Sequence, residues 1–162
     1  MVIVTLALLT CFGQYSAQAD DSQPYDQVHA FYYPWYGNPQ TDKSYFHWNH
    51  QQIVKEGEPK NYPGSDDVAA NFYPSLGCYS SNSDQDMDAH MLMLRRAKTG
   101  VICTSWWGKD TYTDKAVPRL LEAAARHNIK VCFHIEPFPG RNAQTTRESI
   151  VYIIDRNGKI YS

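Results

Sequence analysis

The segment His134-Ile135-Glu136-Pro137 sets an imidazole and a carboxylate two positions apart, immediately before a proline. In an extended strand that spacing puts both side chains on one side. Pro137 cannot donate to a ladder, so the strand ends there and the pair stands at its carboxyl end. A carboxylate beside an imidazole at such a place can act as acid, base or hydroxyl binder. A buried His and Glu that satisfy neighbouring strands would leave the same trace in the sequence, and the residues alone leave both readings open.

Aromatic rings form the second constellation. The chain holds 12 Tyr, 6 Phe and 4 Trp, 14% of its residues, and they are clustered. Tyr32, Tyr33, Trp35 and Tyr36 fall together, with Tyr45, Phe46 and Trp48 soon after, and Trp106 adjoins Trp107. Tyr and Trp carry an apolar face and a polar tip, which suits a flat-faced ligand with hydroxyls around its rim. In Ser105-Trp106-Trp107-Gly108 alternation sends the two indoles to opposite sides. Trp107 shares parity with Ser105 and lies nearer the strand exit, so it is the stacking ring and Trp106 is core. Phe31 and Tyr32 are read as core.

His47-Trp48-Asn49-His50 invites a metal reading, but it has neither a third ligand nor a helix to fix the spacing. No metal or cofactor is expected. Asp66-Asp67 and the acids Asp84, Asp86 and Asp88 read as turn and helix-start charges. A Gly-x-Ser-x-Gly elbow, a phosphate loop and a dinucleotide glycine fingerprint are all missing from the sequence.

These groups must be held by regular elements. Val28 to Tyr33, Val101 to Trp107 and Lys130 to Ile135 are β-rich runs of strand length. Ser83 caps a helix in which Met87, Met91 and Leu94 recur until Gly100 stops it. Asp114 to His127 puts Val117, Leu120, Leu121 and Ala124 on one face, with Asn128 as a left-handed stop. Thr145 and Glu148 fit a capping box for a helix carrying Ile150, Ile153 and Ile154, ending at Asn157-Gly158. Alternating strands and helices predict an α/β fold with a parallel sheet. The long stretch from Gly37 to Asn82 then follows a strand's C-terminal end, on the face where such folds bind ligands. A closed parallel barrel needs eight such units and this chain supplies about three, which predicts an incomplete (β/α)8 TIM barrel belonging to a longer protein or an incomplete gene product.

With 162 residues and a formal charge of −2 the chain has the size of one domain. Its Lys and Arg are scattered among acids, so no phosphate-neutralising stripe exists and nucleic acid is set aside. Val2 to Phe12 is an apolar run too short to cross a bilayer, and Ser16-Ala17-Gln18-Ala19 follows it with small residues at alternate positions. Residues 1–19 therefore read as a secretory signal peptide, 20–27 as a linker and 28–162 as the barrel portion, with no stable membrane span in the mature chain. Cleavage after Ala19 leaves Cys78, Cys103 and Cys132. Cys103 and Cys132 lie in apolar strand-like runs and are expected as buried thiols, with a bridge from Cys78 left open.

The strings FYYPWYGNPQ, HWNH, KNYP, FYPSLGCYSS, SWW and HIEPF occur in that order between Phe31 and Phe138, within a likeness that runs from about Val28 to Gly158. Together they resemble glycoside hydrolase family 99. The resemblance implies a (β/α)8 barrel, residence in the secretory pathway (Golgi lumen or extracellular), and endo-cleavage of the α-1,2 bond joining a glucosylated mannose to a high-mannose N-glycan or mannan-type oligosaccharide. It further implies retention through a 1,2-anhydro sugar, with one carboxylate deprotonating the mannose 2-hydroxyl and another protonating the departing oxygen. That differs from the usual carboxylate nucleophile. The family's two catalytic glutamates lie in a WNEWHE-like segment absent from this sequence. By the same likeness Trp107 contacts the nonreducing sugar of the cleaved disaccharide, Glu136 supports the reacting mannose, and Tyr33, Trp35, Tyr36 and His134 complete this part of the cleft. The rival expectation is a noncatalytic carbohydrate-binding or vestigial protein.

Overall fold

A computed structural model describes residues 23–49, 68–70 and 72–158. The stretch read as a signal peptide, His50, the KNYP string and Asp66-Asp67 lie outside the described residues.

Three strands, β1 (Tyr25–Tyr32), β2 (Thr99–Trp106) and β3 (Lys130–Ile135), form one sheet in the order β1-β2-β3. Both pairings are parallel, with Phe31 beside Cys103 and Cys103 beside Cys132. Between them run the short α1 (Pro39–Asp42), then α2 (Asp84–Arg96), α3 (Tyr112–Arg126) and, after β3, α4 (Ala143–Asn157).

One sheet face is covered. Met87, Met91, Ile102, Leu120 and Ile129 form a core between the sheet and α2 and α3, and Trp106, Val117, Leu121 and Ile153 continue it. Each such side chain stabilises the packed layer by roughly 1.5 to 3 kcal/mol. The α3 stripe Val117, Leu120, Leu121 and Ala124 is buried throughout, and Asn128 takes the left-handed conformation (φ 55°) that stops the chain after α3.

Several local expectations are corrected. β1 opens at Tyr25, inside the stretch read as linker, because the Tyr25 N–H reaches Lys98 O at 3.0 Å. Gly100 does not stop α2. The helix ends at Arg96, Lys98 turns with φ 61°, and Gly100 lies in β2 where a Cβ would stand 2.3 Å from Tyr25 O. A side chain there would collide with the β1 backbone, so the glycine serves close strand approach. The cap of α4 is Asn142 with Thr145: the Asn142 side chain accepts from the Thr145 N–H at 3.0 Å, and Thr145 Oγ1 accepts from the Asn142 N–H at 2.9 Å. Glu148 instead accepts from Gln144 Nε2 one turn back. On α4 only Ile153 of the three isoleucines is buried, while Ile150 and Ile154 are exposed.

Parity also corrects Phe31, Cys103 and Cys132. They occupy the sheet face opposite the helices, so Phe31 is 62% exposed, Cys132 is exposed and Cys103 is partly so. Tyr32 points the other way and packs against the core. All three described cysteines are free thiols, Cys78 included.

Candidate functional site

The helix-free face gathers its polar groups at the C-terminal end of the sheet. Ser105 and His134 are register partners on β2 and β3, and the ladder runs one step further through the Glu136 N–H to Trp106 O at 3.0 Å. Ser105, only 1% exposed, donates from Oγ to Glu136 Oε1 at 2.7 Å. His134 Nε2 lies 3.6 Å from Glu136 Oε2. One carboxylate oxygen is thus oriented by a buried hydroxyl and the other faces an imidazole. The Glu136 side chain is 13% exposed while that of His134 is 44% exposed, with its ring tilted against Phe31.

Trp106 and Trp107 part company as alternation requires. Trp106 is 1% exposed and its Nε1–H donates to Asp114 Oδ1 at 2.9 Å. Trp107 keeps its ring open, while its N–H donates to Thr113 Oγ1 at the start of α3.

The β1 aromatics form a stack. Tyr33 lies on Trp35 at 4.9 Å between ring centres, and Trp35 lies on His47 at 4.6 Å and 13°. Trp35, His47 and Trp107 line one open cavity of about 250 Å³ together with Tyr112. Trp35 Nε1 is buried without a partner among the described residues. Tyr36 turns away, stacking on Trp48 at 4.0 Å. With Tyr33 it lines a second cavity of about 350 Å³, beside Tyr79 and His90. The structure therefore brings Trp35 and Trp107 together and His134 and Glu136 together, and sets Tyr33 and Tyr36 around a separate cavity joined to the first by the Tyr33–Trp35 stack.

Burial pushes the Tyr79 hydroxyl up to about 12, aided by Tyr36 and Asp86, so it remains a neutral donor. Burial raises Tyr32 strongly too, and its hydroxyl lies 2.9 Å from His90 Nδ1 and 3.2 Å from Met87 Sδ. Burial lowers His90 below the ordinary imidazole value, with Asp86 opposing. Cys103 is raised to about 11, chiefly by burial and then by Cys132, which leaves it a poor nucleophile. Among the described residues no three His, Cys, Asp or Glu side chains converge as metal ligands, and no helix is long and apolar enough to cross a membrane.

The profile of glycosyl hydrolase family 99 matches residues 24–161. The chain belongs to that family. The family 99 chain is 43% identical over 145 residues to the glycoprotein endo-alpha-1,2-mannosidase of Mus musculus, an alignment covering 81% of it and 31% of the mouse protein. It is 37% identical over 160 residues to the endo-alpha-1,2-mannosidase-like protein of Danio rerio, covering 89% and 36% respectively. It thus spans about a third of the length of these curated relatives. The solved family 99 endo-alpha-mannosidase of Bacteroides thetaiotaomicron superposes with a TM-score of 0.73 at 43% identity, covering 84% of this chain and 41% of that one. The sheet and helices described above are the first three βα units of that TIM barrel architecture. In such barrels the strand C-termini carry the site, which is the end where Trp35, Trp107 and Glu136 stand.

Sequence reasoning passed over Asp42, Ser105 and Asp114. Asp42 sits on α1, whose start was legible: Asn38 caps it and Pro39 occupies its first turn, the usual order for a helix opening. Asp114 accepts from Trp106, from the Asp110 N–H, from Tyr152 and from Arg156. No local pattern announces that convergence.

Proposed function

We propose that this chain builds the first part of the sugar cleft of an endo-acting glycosidase that cleaves the α-1,2 bond behind a glucosylated mannose on high-mannose N-glycans. The observation that carries this reading is the Glu136 carboxylate, held by Ser105 and facing His134 at the sheet end that also bears the Trp35–Trp107 cavity. Trp107 and Trp35 offer rings to the C–H faces of a sugar. Glu136 and His134 bind hydroxyls of the mannose whose 2-hydroxyl reacts, and Glu136 tunes the groups that move the protons. The acid and base that complete cleavage, through a 1,2-anhydro sugar, come from barrel segments beyond these three units. The protein works in the secretory pathway, in the Golgi lumen or outside the cell, delivered by residues 1–19 as a signal peptide.

The test is a hybrid in which residues 24–161 replace the matching segment of the mouse protein, assayed for release of a glucosyl-mannose disaccharide from a glucosylated high-mannose glycan. Turnover that falls at least tenfold with Glu136→Gln supports the reading. A folded hybrid that binds the glycan without releasing the disaccharide favours a noncatalytic carbohydrate-binding protein, and one that neither binds nor cleaves overturns both.

A further inference from the structure

The two walls of the Trp35–Trp107 cavity come from different parts of the chain. Trp35 and His47 belong to the long connection after β1, whereas Trp107 and Tyr112 belong to the end of β2 and the start of α3. Regular ladder bonds do not join these parts. Tyr112 and the Asp42 carboxylate do.

Asp42 Oδ2 accepts from the Asn38 N–H at 3.0 Å and from Ser80 Oγ at 2.6 Å, and Oδ1 accepts from Asn82 Nδ2 at 2.9 Å and from the Tyr112 hydroxyl at 3.0 Å. The first three donors lie at the two ends of the β1–α2 connection, and the fourth reaches across from α3. The Tyr112 hydroxyl also lies 2.8 Å from Tyr36 O, in the run between Tyr33 and Gly37, and its ring packs on Phe46 at 4.9 Å. Space is closed around this knot: a Cβ at Gly37 would stand 2.9 Å from both Asp42 Oδ2 and the Tyr112 hydroxyl and 2.5 Å from Phe46. Burial raises the Asp42 carboxyl, but the bonds from Asn82, Ser80, Asn38 and Tyr112 outweigh it and hold it below the ordinary value, so it stays an acceptor on all sides.

From this geometry we infer that Asp42 is a positioning residue that sets the separation between the Trp35–His47 shelf and Trp107, and so the sugar affinity of the cavity. The inference rests on the carbohydrate reading above for its ligand, although the placement itself does not. Among the cavity-lining rings Asp42 bonds Tyr112, and it acts through that ring.

The experiment uses the full chain and a glucosyl-mannose disaccharide, with affinity read by isothermal titration and ring placement by near-ultraviolet circular dichroism. Asp42→Asn keeps the shape but removes the charge and turns one of the two acceptor oxygens into a donor NH2. It is expected to weaken binding about tenfold, equivalent to about 1.4 kcal/mol, and to alter the tryptophan dichroism. Ile102→Val, on the helix-side core, serves as a stability-matched control and should hold affinity within twofold. Wild-type affinity in folded Asp42→Asn, or equal losses in both variants, overturns the inference. Should Asp42→Asn fail to fold, Asn82→Ala removes a donor to Asp42 from outside the cavity: about threefold weaker binding supports the inference, and unchanged binding overturns it. A wild-type chain that ignores the disaccharide moves the same comparison into the hybrid described above, and a wild-type hybrid that also ignores it sinks the carbohydrate reading instead. The dichroism then decides the placement, a changed spectrum in Asp42→Asn supporting it and an unchanged one refuting it.

Discussion

Ser105 and Glu136 meet across β2 and the end of β3, Oγ to Oε1 at 2.7 Å, with the serine 1% exposed. The bond aims the carboxylate along the helix-free face. Replacing the hydroxyl by hydrogen leaves a largely buried carboxylate short of one donor. Ser105→Ala should lower unfolding free energy in urea by about 1.5 kcal/mol, the lower range for a hydrogen bond to a charged group. A loss under a few tenths would show that water replaces the serine.

The adjacent tryptophans should separate stability from binding. Trp106→Ala empties a buried site and removes one of four donors to the Asp114 carboxylate, so it should cost about 3 to 5 kcal/mol in chemical denaturation. Trp107 is 40% exposed, and Trp107→Ala should cost less than about 1 kcal/mol. Its effect should appear in disaccharide affinity, weakened at least several-fold if stacking contributes about 1 to 3 kcal/mol as it does for other flat ligands. Reversed outcomes would exchange the two rings between core and cleft.

Asp114 is 2% exposed and ties the end of β2 to α3 and α4. Burial raises its carboxyl, but the donors Trp106, Tyr152 and Asp110 N–H, with Arg156 beside it, bring the net value below the ordinary 3.8. The unfolded chain binds the proton first as pH falls, so this stabilisation is present above about pH 4 and is lost as pH drops through the lower folded value. Asp114→Ala removes the acceptor shared by the Trp106 indole N–H, the Asp110 N–H, the Tyr152 hydroxyl and Arg156, which keeps only the Tyr152 hydroxyl. It should cost about 3 kcal/mol at neutral pH, and its urea midpoint should fall less than that of wild type between pH 5 and pH 3, to be followed by tryptophan fluorescence.

His90 gives the opposite protonation state a role. Burial lowers its value from 6.5, against the pull of Asp86. The folded protein keeps it neutral beside Tyr32 while the unfolded chain takes a proton near pH 6.5. Its contribution to stability is therefore complete above pH 6.5 and declines as pH falls through that value toward the folded one. His90→Gln should flatten the urea midpoint between pH 7 and pH 5, and a variant that retains the full wild-type slope would remove His90 as the source.

Period-two and helical patterns carried most of the architecture. They separated Trp106 from Trp107, aligned His134 with Glu136, and marked the apolar stripe of α3, because each depends only on neighbours a few positions away. The same local rules set the strand and helix order, and ordered strings such as SWW and HIEPF pointed to family 99. Which residues meet across the chain was decided in three dimensions. Asp42 joins Ser80 and Tyr112, Asp114 joins Arg156, and Trp35 shares a cavity with Trp107, each through pairings remote in sequence. Phe31 and Cys132 are exposed for a related reason: they lie on the sheet face opposite the helices, which a closed barrel encloses and three strands leave open, and local patterns give a residue's face but not what covers it.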